Sequence, residues 1–91
     1  MGVVAESIRS KLDAALCPLR LEIVDDSAKH RGHSGAREGG ESHFSLLIVS
    51  DRFEGLNRVA RQRLVNQALR EELAGPIHAL SLQTLTPMEA A

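Results

Sequence analysis

Histidine is the residue type with the most distinctive chemistry in this 91-residue sequence, which contains four histidines. Three of them lie near one another, at His30, His33 and His43, and the fourth is His78. A neutral imidazole is the commonest metal ligand in proteins, so this grouping raises the hypothesis of a metal site. His30 and His33 are separated by two residues, near enough in sequence to contribute ligands to one ion.

Each histidine also has a less specific interpretation. A closed zinc site needs about four ligands and usually thiolates, whereas Cys17 is the single cysteine. Spacing alone therefore favours a polar, solvated loop for His30 and His33. His43 is interpreted as a half-exposed strand residue. His78 is either a histidine at the edge of the core, bonded to a backbone carbonyl, or a rigidly placed ligand whose partner comes from the loop or another protein.

A basic segment offers a second kind of chemistry. Between residues 52 and 70 five arginines face one acid, Glu54, which gives a local net charge of +4. Arginines near the start of a helix can contact DNA phosphates, but more often they form the solvated face of an amphipathic helix, and this interpretation is favoured. The five are Arg52, Arg58, Arg61, Arg63 and Arg70.

No catalytic motif accompanies these residues. The sequence lacks a G-x-S-x-G elbow, a cysteine–histidine signature and a phosphate-binding glycine motif at a helix start, so a non-enzymatic role is predicted. The net charge of -1 and the presence of only two aromatic residues weigh against general nucleic-acid binding. The single cysteine fits a reducing, cytoplasmic compartment. No apolar run approaches the ~20 residues that span a bilayer, so no membrane association is predicted.

Apolar periodicity predicts the elements that would position these side chains. A helix is expected over residues 4–16, where apolar residues recur at steps of three and four and Pro18 follows. Alternation predicts one strand over residues 19–23 and another that includes Phe44, Leu46 and Ile48. Between them, a glycine-bearing polar stretch over about residues 26–42 predicts a long flexible loop. The two strands could pair as an antiparallel hairpin.

The second half of the chain has a comparable pattern. Helical spacing runs over residues 53–73, with a separate short turn near Gly55 and Asn57 as the helix N-cap. Gly75 and Pro76 are expected to end the helix. A third strand follows over about residues 77–85, with His78 on the same face as Leu80 and Leu82, and then a short frayed tail over residues 87–91. This order predicts an α+β fold in which helices cover one face of a three-stranded mixed sheet.

Several motifs together resemble the BolA-like proteins, in the bacterial-type branch with a long loop between the first two strands. They occur in matching order and spacing over nearly the whole chain. The motifs are D-D-S-A-K-H-R-G-H-S-G (25–35), G-E-S-H-F (40–44), V-S-D-R-F-E-G (49–55), R-Q-R-L-V (61–65), E-E-L (71–73), I-H-A-L-S (77–81) and T-L-T-P (84–87).

The resemblance implies a class II KH-like fold, α-β-β-α-α-β, as a single domain over residues 1–91 with its core at about 4–86. It makes the short turn near Gly55 a helix of its own. It also implies a non-enzymatic partner of a monothiol (CGFS-type) glutaredoxin, sharing with it a glutathione-ligated [2Fe–2S] cluster used in iron–sulfur assembly, trafficking or sensing. The isolated chain would then carry no cluster and be a monomer or weak dimer.

The resemblance assigns roles to particular residues. The histidine matching the family's ligand is His78, and a second ligand would come from the loop, from His33 or His30, with His43 as a further candidate. Two positions depart from the family pattern, Ala28 and Gln62, each standing where the family often has histidine. Some family members resemble DNA-binding transcriptional regulators, and in that alternative the phosphate contacts would be Arg58, Arg61 and Arg63.

Overall fold

The computed structural model describes residues 2–26 and 43–91. Most of the predicted 26–42 loop, with His30 and His33, lies outside the described residues. The elements are α1 (Val3–Leu16), β1 (Arg20–Asp25), β2 (His43–Val49), a 3-10 helix (Asp51–Phe53), α2 (Arg58–Ala68), α3 (Arg70–Ala74), β3 (Ala79–Leu85) and α4 (Pro87–Ala90).

The three strands form one mixed sheet, as predicted, and their order in the sheet is β1-β2-β3. Strand β1 pairs antiparallel with β2, with Asp25 opposite Phe44, which confirms the predicted pairing of these two strands. Strand β3 pairs parallel with β2, and the first pair of that ladder is His43 with Ala79. The sheet therefore brings the beginnings of β2 and β3 to the same end.

Helix α1 packs its predicted apolar stripe against the inner face of this sheet. Ile8, Leu12 and Leu16 are buried at steps of four, together with Ala5. They belong to the same core cluster as every second residue of β2, where the inward-pointing side chains are Phe44, Leu46 and Ile48. The helix ends at Cys17, which has a left-handed backbone conformation (φ 45°).

Local signals set the start of α2. The Asn57 side-chain oxygen accepts a hydrogen bond from the Ala60 N–H at 2.9 Å and so caps the helix. Gly55 has φ +78°, a left-handed conformation that glycine adopts without the steric cost other residues meet. The turn at Gly55 thus separates the 3-10 helix from α2, and both the predicted division and the predicted cap are confirmed.

The predicted single helix to residue 73 is wrong at Leu69, where the backbone (φ −104°, ψ 17°) divides α2 from α3. Leu69 still donates its N–H to the Val65 carbonyl at 3.0 Å, so the change of direction is local. Val65 and Leu69 are fully buried, whereas Leu64 is 37% exposed and lies outside the core. Gly75 follows the last residue of α3, as predicted.

The C-terminal region differs from expectation at two points. The third strand begins at Ala79 rather than near Ile77, because the Ile77 N–H still bonds the Glu72 carbonyl of α3 at 2.9 Å. Residues 87–90 form α4 instead of a frayed tail. A capping box holds this turn, since Thr86 Oγ1 accepts from the Glu89 N–H at 3.2 Å and Glu89 Oε1 accepts from the Thr86 N–H at 2.8 Å. None of the helices in the described ranges could cross a membrane.

Candidate metal-ligating site

The candidate site lies where β2 and β3 begin. His43 is the first residue of β2, and His78 immediately precedes β3. Their ring centroids are 5.4 Å apart, with the ring planes inclined at 57°. The parallel pairing of His43 with Ala79 produces this proximity across 35 positions of sequence. Of the four predicted histidines, these are the two that the structure describes, and it brings them together.

Buried neighbours fix the backbone on both sides of the pair. Phe44, directly after His43, is 2% exposed, and Ile77, directly before His78, is 4% exposed. Both apolar side chains belong to the same core cluster. Each imidazole therefore extends from a backbone position that cannot shift without disturbing the core, whereas the rings themselves reach the surface.

The exposure of the two rings corrects one expectation and confirms another. The sequence places His78 on the inward face with Leu80 and Leu82, but His78 is exposed, because it precedes the strand and is not subject to the strand's alternation. The interpretation of His78 as a strand residue at the edge of the core is therefore wrong. His43 is half-buried at the start of its strand, as predicted.

Cys17 lies at the other end of the sheet. The segment after it joins the end of β2, where the Leu19 N–H bonds the Val49 carbonyl at 2.8 Å. Seven residues of β2 at roughly 3.3 Å each separate that end from His43 by about 20 Å. The exposed thiol instead lies 3.8 Å from an Arg52 guanidinium nitrogen. It cannot share an ion with the two imidazoles.

Within the described ranges no group of three or more histidine, cysteine, aspartate or glutamate residues is arranged to hold a metal ion. These ranges therefore offer two imidazoles as a partial ligand set. An ion or cluster bound there would take its remaining ligands from water, from the other histidines or from another molecule.

The predicted basic surface separates into two kinds of arginine. Arg58 and Arg63 are exposed on α2. The Arg61 side chain is 13% exposed and its guanidinium donates to Glu89 Oε1 at 2.7 Å and to the Thr84 carbonyl at 3.1 Å. Arg61 thus joins α2 to β3 and α4. Sequence reasoning did not identify this role, because Glu89 is 28 positions away and belongs to a predicted tail.

A groove runs beside these arginines along β3. Its lining residues come from the start of α2, from β3 and from α4, and it encloses about 660 Å³. Arg58 and Arg61 contribute positive charge and Glu89 negative charge. The interaction with Arg61 and the hydrogen bond from the Thr86 backbone lower the pKa of the Glu89 carboxyl to about 2. The groove is distinct from the histidine pair, since its lining residues include neither His43 nor His78.

Comparisons with known proteins agree with this architecture. The family model described as BolA-like protein matches residues 12–89. BolA-like protein 1 of Mus musculus is 47% identical over 97% of this chain and 61% of its own length. The DNA-binding transcriptional regulator BolA of Vibrio cholerae is 42% identical over 96% of this chain and 78% of its own. The chain thus spans about three fifths of the mammalian relative.

Solved structures show the same similarity. The BolA domain of SufE1 from Arabidopsis thaliana superposes with a TM-score of 0.86 at 44% identity, covering 98% of each chain. BolA1 from the same plant gives a TM-score of 0.85 at 42% identity and covers both chains completely. The fold and these similarities place the chain in the class of BolA domains. The chain belongs to the BolA-like family.

Proposed function

We propose that this chain is the non-enzymatic partner of a monothiol glutaredoxin and that the two proteins share a glutathione-ligated [2Fe–2S] cluster. The observation that carries the proposal is the pair of surface imidazoles, His43 and His78, with centroids 5.4 Å apart. It is supported by membership of the BolA-like family. The described ranges offer two nitrogen ligands at this position, so the glutaredoxin and glutathione would supply thiolates.

The chemistry of the donor set suits such a cluster. Imidazole ligands in place of thiolates reduce the negative charge on a [2Fe–2S] cluster and raise its reduction potential, as in Rieske centres. In this chain His78 would be one ligand, and the second would be His33, His30 or His43. The buried anchors Phe44 and Ile77 keep His43 and His78 in place before any partner binds.

The test is reconstitution of the chain with a monothiol glutaredoxin, glutathione, iron and sulfide. Visible circular dichroism reports the ligand environment, and size-exclusion chromatography reports the stoichiometry. We expect a coloured 1:1 complex whose spectrum differs from that of the glutaredoxin alone. His78→Ala should abolish that difference, and the matched variant Cys17→Ser should leave it unchanged, because the thiol lies about 20 Å from the imidazoles.

Single variants at the other three histidines would identify the second ligand. A spectral change in one of His30→Ala, His33→Ala and His43→Ala, with the other two unaffected, would assign that ligand. A spectrum insensitive to His78→Ala would contradict the proposal even if a complex formed. So would the absence of any complex between this chain and the glutaredoxin.

DNA binding is a second candidate function, favoured by the relative named a DNA-binding transcriptional regulator. The exposed side chains Arg58 and Arg63 are suited to phosphate contacts. Arg61 is less suited, because its guanidinium already bonds Glu89 and two backbone carbonyls. DNA binding by this surface would therefore depend on Arg58 and Arg63.

Salt dependence tests this alternative. Each phosphate contact contributes about 0.9 to the slope of log affinity against log salt. The combined Arg58→Gln and Arg63→Gln variant should therefore lower the slope by about 2 while the protein remains folded. An unchanged slope would remove these two residues from the DNA interface. Cluster formation with glutaredoxin should not respond to the same pair of substitutions.

A further inference from the structure

We propose that two copies of this chain associate edge to edge through β1, with the two β1 strands antiparallel about a two-fold axis at Leu21. The contact would join the two sheets into one continuous sheet. It includes neither His43 nor His78 and requires no glutaredoxin, so the proposal goes beyond the proposed function. Two observations carry it: the open outer edge of β1 and the pattern of charges along that strand.

The hydrogen bonds of β2 show which of its residues face β1. The Val49 carbonyl accepts from the Leu19 N–H at 2.8 Å, so it is directed toward β1. The next N–H, that of Ser50, is directed the opposite way and bonds the Leu85 carbonyl at 3.0 Å. Because a strand residue directs its N–H and C=O to the same side, every second residue of β2 counted back from Val49 faces β1.

The outer edge of β1 follows from this pattern. The residues of β1 opposite those of β2 that face it are Arg20, Glu22 and Val24. Leu21 and Ile23 lie between them and therefore direct their backbone N–H and C=O groups away from β2. In the part of the chain that the structure describes, β1 has β2 as its one neighbour in the sheet. An edge with such groups is a template for pairing with another strand.

The charges of β1 are self-complementary in one two-fold register. With the axis at Leu21, Arg20 lies opposite Glu22 of the second copy, and the symmetry repeats the same pair on the other side of the axis. The two Leu21 residues then exchange their edge-directed backbone hydrogen bonds at the centre. The second copy of this chain is therefore the partner that the edge fits.

Neighbouring registers are less favourable. An axis at Glu22 places two carboxylates opposite each other, and an axis at Arg20 does the same with two guanidinium groups. An axis at Ile23 places Glu22 opposite the apolar Val24. It brings Arg20 opposite Asp26, which lies beyond the end of the strand and whose carboxylate already accepts a side-chain hydrogen bond. The charges thus select the axis at Leu21.

The exposure of the side chains near the axis agrees with this contact. The side chains of Arg20 and Glu22 are 62% and 47% exposed, and within one chain Arg20 Nε lies 2.7 Å from Glu22 Oε2. The second copy would add a second carboxylate beside each guanidinium, so that the four charges alternate in sign. Leu19 is 67% exposed and comes opposite Ile23 of the second copy, which would remove apolar surface from water.

The contact is short, so we expect a weak dimer. It uses residues 19–23 of each copy, whereas stable interfaces bury about 1,200–2,000 Å² in total. A dissociation constant between about 10 µM and 1 mM is expected for such a contact. Of the two states that the family resemblance allows for the isolated chain, the edge of β1 thus favours the weak dimer and specifies its interface.

The experiment measures self-association of the full chain without glutaredoxin. Sedimentation equilibrium from about 20 µM to 1 mM should show a monomer–dimer equilibrium within the expected range. Over the same concentrations, the backbone amide resonances of Leu21 and Ile23 should shift in a two-dimensional NMR spectrum, whereas that of Leu82, on the opposite edge strand, should not. This mapping identifies the interface without any substitution.

Charge reversal tests the register. Arg20→Glu and Glu22→Arg should each weaken the dimer about tenfold or more, because each places like charges opposite each other twice. An equimolar mixture of the two variants should associate as well as the unmodified chain, since every Arg20–Glu22 position in the mixed dimer again pairs opposite charges. Arg70→Glu and Glu54→Arg make the same charge changes at exposed positions outside β1 and should leave the association unchanged.

Several outcomes would overturn the proposal. They are a monomer at 1 mM, concentration-dependent shifts confined to β3, and a dimer that neither charge reversal weakens. A mixture of the two variants that fails to associate, although far-ultraviolet circular dichroism shows both to be folded, would reject the axis at Leu21. None of these measurements involves glutaredoxin, so each outcome leaves the test of the proposed function unaffected.

Discussion

Arg61 and Glu89 form a two-pronged ion pair that joins α2 to the last helix of the chain. The guanidinium nitrogens Nη1 and Nη2 lie 2.7 Å and 3.3 Å from Glu89 Oε1 and Oε2. The same guanidinium donates to the carbonyls of Leu56 and Thr84 and lies 5.9 Å from the centroid of the Phe53 ring. One arginine of the predicted basic surface is therefore a structural residue, not one available to a partner.

Arg61→Met should destabilise the fold although it retains much of the apolar side chain. Loss of the guanidinium leaves the carbonyls of Leu56 and Thr84 without this donor, at a cost of about 1–3 kcal/mol. Arg63→Met is the matched control on an exposed position of the same helix and should change stability by less than about 0.5 kcal/mol. Urea unfolding compares the two, and equal effects would contradict the assigned role of Arg61.

Glu89→Gln should lower stability in a pH-dependent way. Arg61 and the Thr86 backbone lower the pKa of the Glu89 carboxyl from 4.5 to about 2 in the folded chain. The ionised carboxylate therefore stabilises the fold fully above pH 4.5, and this contribution is lost as the pH falls through 2. Unfolding of both proteins should show a difference at pH 6 that shrinks steadily toward pH 2. A difference that is constant with pH would contradict the prediction.

Ser50→Ala should lower the free energy of unfolding substantially, although it removes only one oxygen atom. The buried Ser50 hydroxyl donates to the Leu16 carbonyl at 2.6 Å and accepts from the Arg52 N–H at 3.1 Å. It links the end of α1 to the start of the 3-10 helix. We expect a loss of about 1–3 kcal/mol in the free energy of unfolding. Ser81→Ala, on an exposed strand position, is the control, and a comparable loss there would refute this explanation.

Asn57→Ala should weaken the start of α2 by about 1 kcal/mol, because the Ala60 N–H loses its side-chain acceptor. Asn66→Ala removes the same amide from an exposed position within the same helix, where alanine is the better helix former. Thermal unfolding should therefore show a lower midpoint for the first variant and an equal or higher midpoint for the second. The reverse order would show that the cap contributes nothing.

Local features of the structure could be predicted because their causes lie within a few residues. The Asn57 cap acts on Ala60, three positions away, and the inward alternation of Phe44, Leu46 and Ile48 follows from strand geometry alone. Prediction failed where a distant contact overrides the local pattern. The hydrogen bond from the Ile77 N–H to the Glu72 carbonyl delays the start of β3 to Ala79. His78 therefore lies outside the strand, and the alternation that predicted an inward-facing side chain does not apply to it.

The sequence alone determined the order of α1, the three strands and α2, their apolar faces, the family resemblance and the chemical type of the candidate ligands. It did not determine which residues meet, because alternation specifies the face of a strand and not its neighbour. Only the parallel pairing of β2 with β3 brings His43 beside His78. Likewise, only the docking of α4 gives Arg61 its partner Glu89. Contacts across 28 and 35 positions depend on the packing of the whole core, which no local segment encodes.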